Sequence, residues 1–218
     1  MVITCSLSPR NGCRESRWQK RVFAVVGVSV AITLCGALEA APHDVLDLRT
    51  HSDSDGGVRE VALCARPSPS AALGLPGHMF VGYSLVLPDR PRAYLALGHT
   101  TQAPASGALL SYSRLMPAVS GTISDERYTA TLERCLVVRV NKPDFDRAYS
   151  FAVARVDQFS SDPSAWPPIT LSYRLGSQDC VNFVVEVAEH FKSRGLKVPA
   201  RGATEFPMSY VRRLIDEN

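Results

Sequence analysis

The stretch Gly176 to Pro199, GSQDCVNFVVEVAEHFKSRGLKVP, decides the fold. Val181, Val184, Val185, Ala188 and Phe191 recur at helical spacing, so a helix from about Cys180 to Lys192 presents one continuous apolar face. Ser177 or Asp179 can cap its start, and Gly195 can end it. Cys180 then falls in the first turn, where backbone N–H groups lack intrahelical acceptors and the helix dipole favours negative charge. A thiol so placed is suited to act as a nucleophile, with its own N–H as one donor of an oxyanion hole. The same position also suits a cysteine that merely packs against Val184 and Val187.

A thiol nucleophile needs a base within hydrogen-bonding reach. The chain holds five histidines: His43, His51, His78, His99 and His190. His43 and His51 lie in a polar segment. His190 is on the Cys180 helix about 15 Å along its axis, too far to reach the sulfur. His78 and His99 remain, each directly after a glycine. They flank two β-prone runs, His78 to Leu87 and Arg92 to Leu97, separated by the turn sequence Pro88-Asp89-Arg90-Pro91. A hairpin can bring both imidazoles to one place, His78 as base and His99 as the group that orients it. Each histidine equally suits a strand end satisfied by a backbone carbonyl.

Other chemistries lack their patterns. No close pair of cysteines or histidines marks a zinc site, so no metal is expected. There is no phosphate-cradling glycine loop and no strained strand-to-helix serine motif.

Elsewhere, Val58 to Ala65 and Leu132 to Val140 read as strands, Ala108 to Arg114 as a short strand, and Ile169 to Arg174 as an extended lead into Gly176. Pro143 opens a helix in which Phe145, Ala148, Ala152, Val156 and Phe159 recur at helical spacing, and another helix starts near Pro207. The loops at 66 to 77, 101 to 107 and 160 to 168 would carry specificity.

In the first 40 residues, Arg10, Arg14, Arg17, Lys20 and Arg21 precede an uncharged run from Val22 to Leu38 that ends in small residues. That order reads as a secretory signal peptide, with an uncleaved membrane anchor as the alternative. Residues 41–57 read as a loose lead-in and 58–218 as the catalytic domain. The formal charge of +3 resides in the leader, which leaves a balanced domain and no electrostatic reason to expect nucleic acid. Export places the domain in the periplasm or outside the cell. Of six cysteines, Cys64, Cys135 and Cys180 lie beyond the leader. In an oxidising compartment an odd count suggests one pair and one free thiol, here Cys64 with Cys135 and Cys180 free; buried inert thiols are the alternative for the pair.

Asp179-Cys180-Val181-Asn182-Phe183-Val184 resembles the Asp-Cys-Ser-Gly-Phe-Val motif of the NlpC family of bacterial cell-wall cysteine peptidases. Gly195-Leu196-Lys197-Val198-Pro199 resembles the segment that follows the same helix in that family. The family's histidine comes after its cysteine, whereas here His190 is the only one downstream. The order matches instead the circularly permuted relatives of lecithin-retinol acyltransferase, whose base-bearing strand Gly77-His78-Met79-Phe80-Val81-Gly82 resembles. Val181 and Asn182 depart from the family's Ser-Gly.

The resemblance implies a permuted papain-like α+β fold, a small antiparallel sheet packed on the Cys180 helix. It implies Cys180 as nucleophile, His78 as base and His99 as third residue, with Tyr173 and Gln178 as candidate oxyanion donors and no cofactor. The expected function is hydrolysis of an amide, first of all in cell-wall peptide. Acyl transfer or lipid ester hydrolysis by the same residues is the alternative, favoured by an apolar groove beside Cys180. A non-catalytic binding domain is the other. A membrane partner is expected only if the leader stays uncleaved.

Overall fold

The structure is a computed structural model that describes residues 43–68, 76–101, 109–112, 117–126, 133–156, 171–203 and 205–218. Its strands are β1 (Asp44–Asp47), β2 (Val58–Arg66), β3 (His78–Val86), β4 (Ala93–Thr101), β5 (Val119–Asp125), β6 (Arg134–Val140) and β7 (Leu171–Tyr173). Its α-helices are α1 (Lys142–Val153), α2 (Cys180–Glu189) and α3 (Pro207–Asp216). The fold is α+β. The strands form one seven-stranded sheet in the order β1-β6-β2-β3-β4-β5-β7.

The sheet is larger than expected and mixed, because β1 joins β6 in parallel while every other pairing is antiparallel. β1 corrects the reading of residues 41–57 as a loose lead-in. Although the segment is polar, Leu46 and Leu48 pack on the core. Its charged residues are also fixed: Asp53 accepts hydrogen bonds from Arg59 (2.9 Å) and from the Lys142 backbone N–H (3.1 Å), and Asn141 donates to the His51 carbonyl (2.9 Å). Asp53 thus satisfies an N–H at the start of α1, where Pro143 occupies an early position and Asn141 gives no side-chain cap. Two further expectations change. Leu109–Ser111 form a helical turn, not a strand, and α1 ends at Val153, after which Val156 bridges Ile123. Phe159 and residues 160–168 lie outside the described residues.

Strand alternation divides the side chains of the central strands into two cores. Val61, Leu63, Met79, Val81, Leu136 and Val138 pack with Val181, Val184 and Val187 of α2, with Phe191 just beyond its end, and with Tyr210, Val211 and Leu214 of α3. On the opposite face Cys64, Phe80, Ala96 and Cys135 form a second, smaller cluster. Burial on both faces explains why β3 reads as an almost unbroken apolar run.

Cys64 and Cys135 are directly opposed in the β2–β6 ladder and form a disulfide, which leaves Cys180 as the free cysteine among the described residues. The disulfide spans 71 residues of sequence, a loop whose closure restricts the unfolded chain. Replacing both cysteines by alanine should lower the unfolding free energy by about 2–4 kcal/mol in urea titrations without reductant. A loss below about 0.5 kcal/mol would mean that the link adds nothing to the sheet's own pairing.

Candidate active site

Cys180 is the first residue of α2, and Asp179 is its N-cap. The Asp179 carboxylate accepts from the backbone N–H groups of Val181 (3.0 Å), Asn182 (3.3 Å) and Gly176 (2.7 Å). Arg201 closes the cap from outside, with Nη1 on Oδ1 at 2.6 Å and Nη2 on Oδ2 at 2.9 Å. Such a cap stabilises a helix by about 1 kcal/mol, and here it also fixes where the thiol sits. Val181 is fully buried in the core, and Asn182 accepts a hydrogen bond from Arg201. The two departures from the NlpC motif therefore have structural uses in this chain.

Just before the cap, Arg174 and Gln178 exchange backbone hydrogen bonds of 2.8 and 2.9 Å, and Gly176 between them has φ +87°. This turn needs glycine at its left-handed position and carries the chain from β7 back to the head of α2. It brings the Tyr173 phenol beside Cys180. Burial, then the charges of Cys180 and Asp179, push the Tyr173 phenol far above its usual range, so at neutral pH it is a hydrogen-bond donor.

His78 opens β3 and stands beside Cys180, which is among the groups that raise the imidazole pKa. Its Nε2 lies 2.8 Å from Glu126 Oε1, which leaves Nδ1 as the ring atom for the thiol. Glu126 follows β5, anchored by its backbone N–H to the Ala96 carbonyl (2.8 Å), and its Oε2 accepts from Arg66 Nη2 (2.7 Å). The pair lies over Gly98, where an added Cβ would stand 2.6 Å from both His78 Nε2 and Glu126 Oε1. Only glycine leaves room there. Burial depresses the His78 pKa, but its interactions with Cys180 and Glu126 outweigh that and raise it from 6.5 to about 9. Burial pushes Glu126 upward, while His78 and Arg66 pull it below its usual value.

The third group in line with Cys180 and His78 is thus Glu126, which the sequence reading missed, rather than His99. His99 is buried, packs edge-on against Tyr173 (ring centroids 5.1 Å apart) and lies beside the Asp179 backbone, which acts to raise its pKa. Burial lowers its pKa, with the charge of His78 acting the same way. It therefore supports the helix start and Tyr173 from behind. Of the two oxyanion candidates, Tyr173 meets Cys180, whereas Gln178 is exposed and lines a second cavity of about 210 Å³ with His99 and Asn182. Among the described residues, no group of three or more His, Cys, Asp or Glu side chains could hold a metal ion.

A cavity of about 280 Å³ opens beside Cys180, walled by Leu109, Tyr112, Leu175, Phe206 and Pro207 with Arg201 and Glu205 at one side. Leu109, Tyr112 and Phe206 are themselves exposed, so the rim is apolar as well as the walls.

Chemically, the row Cys180–His78–Glu126 can move a proton from sulfur to imidazole and hold the resulting cation against a carboxylate. Glu126→Gln should therefore lower the His78 titration midpoint from about 9 towards 6.5 in NMR titrations. Because the folded pKa is raised, the stability that His78 contributes is complete below pH 6.5 and lost as pH rises through about 9. Wild type should lose stability across that window more steeply than the variant, and an unmoved midpoint would mean that Glu126 does not act on the ring. No protein-family model, curated protein or solved structure matches the chain.

Proposed function

We propose that this protein is a thiol acyl hydrolase or acyltransferase in which Cys180 attacks a carbonyl and His78, oriented by Glu126, handles the proton. The observation that carries the reading is the row Cys180, His78 and Glu126 at the head of α2, in which His78 stands beside the thiol and its Nε2 lies 2.8 Å from Glu126 Oε1. In the first half-reaction His78 holds the thiol proton while sulfur bonds to the carbonyl carbon. The Cys180 backbone N–H and the Tyr173 hydroxyl are the donors available to the oxyanion. His78 then protonates the leaving alcohol or amine, and an acyl-thioester remains on Cys180. In the second half-reaction water or another acceptor gives its proton to His78 and releases the acyl group.

The cavity beside Cys180 favours an apolar acyl group over the polar peptide of a cell wall. A dry apolar cavity of roughly 150 Å³ accommodates benzene, so the 280 Å³ here has room for a longer aliphatic or aromatic group. The permuted papain-like order remains part of this proposal, supported by the His78 strand preceding the Cys180 helix around one sheet. So does export, which is in keeping with the Cys64–Cys135 disulfide.

Residues 41–218 should be incubated with p-nitrophenyl esters of graded acyl length and, separately, with purified peptidoglycan. An acyl adduct on Cys180 seen by mass spectrometry after acid quench, with medium chains preferred over acetyl, is the expected outcome. Release of peptide products from peptidoglycan without ester turnover would move the substrate back to a cell-wall amide. Turnover that survives in Cys180→Ala would overturn the proposal.

A further inference from the structure

We propose that Arg66 is a positioning residue for this site: it holds the Glu126 carboxylate in the orientation from which that group bonds His78. The inference rests on the reading of Cys180 and His78 as the reacting pair.

Glu126 has two oxygens and gives one to each partner, Oε2 to Arg66 Nη2 at 2.7 Å and Oε1 to His78 Nε2 at 2.8 Å. A glutamate on its own has freely turning side-chain torsions, so a second fixed partner decides whether its first oxygen meets the ring. Arg66 is well placed to be that partner. It is the last residue of β2, and its backbone stands directly opposite His78 in the β2–β3 ladder. Its guanidinium lies 5.7 Å from the centre of the Phe80 ring, which in turn stacks with the His78 ring at 6.5 Å. Arginine, glutamate and histidine therefore close a loop in which each is held by two others, through side chains on one side and the strand pairing on the other.

Chain packing also keeps this corner tight. An added Cβ at Gly77 would stand 2.2 Å from the Arg66 carbonyl oxygen, so the residue before His78 runs against the Arg66 backbone. Arg66 touches neither Cys180 nor the apolar cavity, and it is about a third exposed. A surface ion pair in such a setting adds little to stability. Its value lies in the direction of the guanidinium fork, which a lysine ammonium does not reproduce.

The test compares full-length wild type with Arg66→Gln and Arg66→Lys. Titration of the Glu126 carboxyl and the His78 ring by NMR reads the positioning directly. Turnover of the best acyl ester reads its effect on chemistry. In Arg66→Gln the Glu126 midpoint should rise and the His78 midpoint fall. The acid limb of the pH–rate profile, which His78 sets as the base, should move to lower pH, and kcat should drop about 10-fold with KM unchanged. Arg66→Lys should restore the Glu126 midpoint but only part of kcat. Adding Arg66→Gln to Glu126→Gln should change kcat no further. Midpoints that stay at their wild-type positions in Arg66→Gln would overturn the inference, as would a kcat loss of equal size in the Glu126→Gln background. If wild type turned over no ester or amide, the hydrolase reading would fail, while the titrations would still decide the role of Arg66.

Discussion

The meeting of His78 with Cys180 is the constraint on which the rest of the site depends. It joins two elements far apart in sequence, the first residue of β3 and the first residue of α2. Each end is fixed separately. Asp179 and Arg201 set the head of α2, while the pairing of Arg66 with His78 sets the start of β3. The β3–β4 pairing runs from Val81 with Leu97 to Leu85 with Ala93, so His78 is held in a ladder on its β2 side. Its ring lies over Gly98, in space that any larger residue would fill.

Supporting layers have different chemistry on the two faces of the sheet. Beneath α2 the core is aliphatic and continuous, and it places the helix with little freedom to slide. On the far face the Cys64–Cys135 disulfide, Phe80 and Ala96 form a small cluster under the strands that bear Arg66 and His78. The site sits where these two layers meet the apolar cavity.

Much of this was legible in the sequence. The spacing of Val181, Val184 and Phe191 specified α2 and put Cys180 at its head. Elimination among five histidines left His78 and His99, and the odd cysteine count led to the observed disulfide. Glu126 was not legible, because β5 (VSGTISD) has neither a strong apolar alternation nor a turn signal, and the acid reaches His78 through a long-range strand order. An acidic residue just beyond an extended polar stretch was the only trace of it. His99 misled because the hairpin was foreseen without its register. With Val81 opposite Leu97, His78 and His99 fall one residue out of step, and a one-residue offset turns side chains to different faces. β1 was missed because four residues of mixed polarity gain their order only from parallel pairing with β6.

Alkylation of Cys180 by iodoacetamide near neutral pH, compared between wild type and His78→Ala, tests the central interaction most directly. With a reacting thiol held against His78, wild-type Cys180 should be modified faster than an ordinary buried thiol, and the rate should fall by an order of magnitude or more in the variant. Equal rates in the two proteins, no faster than those of an unactivated cysteine, would contradict the account and leave Cys180 as a packing residue at a helix start.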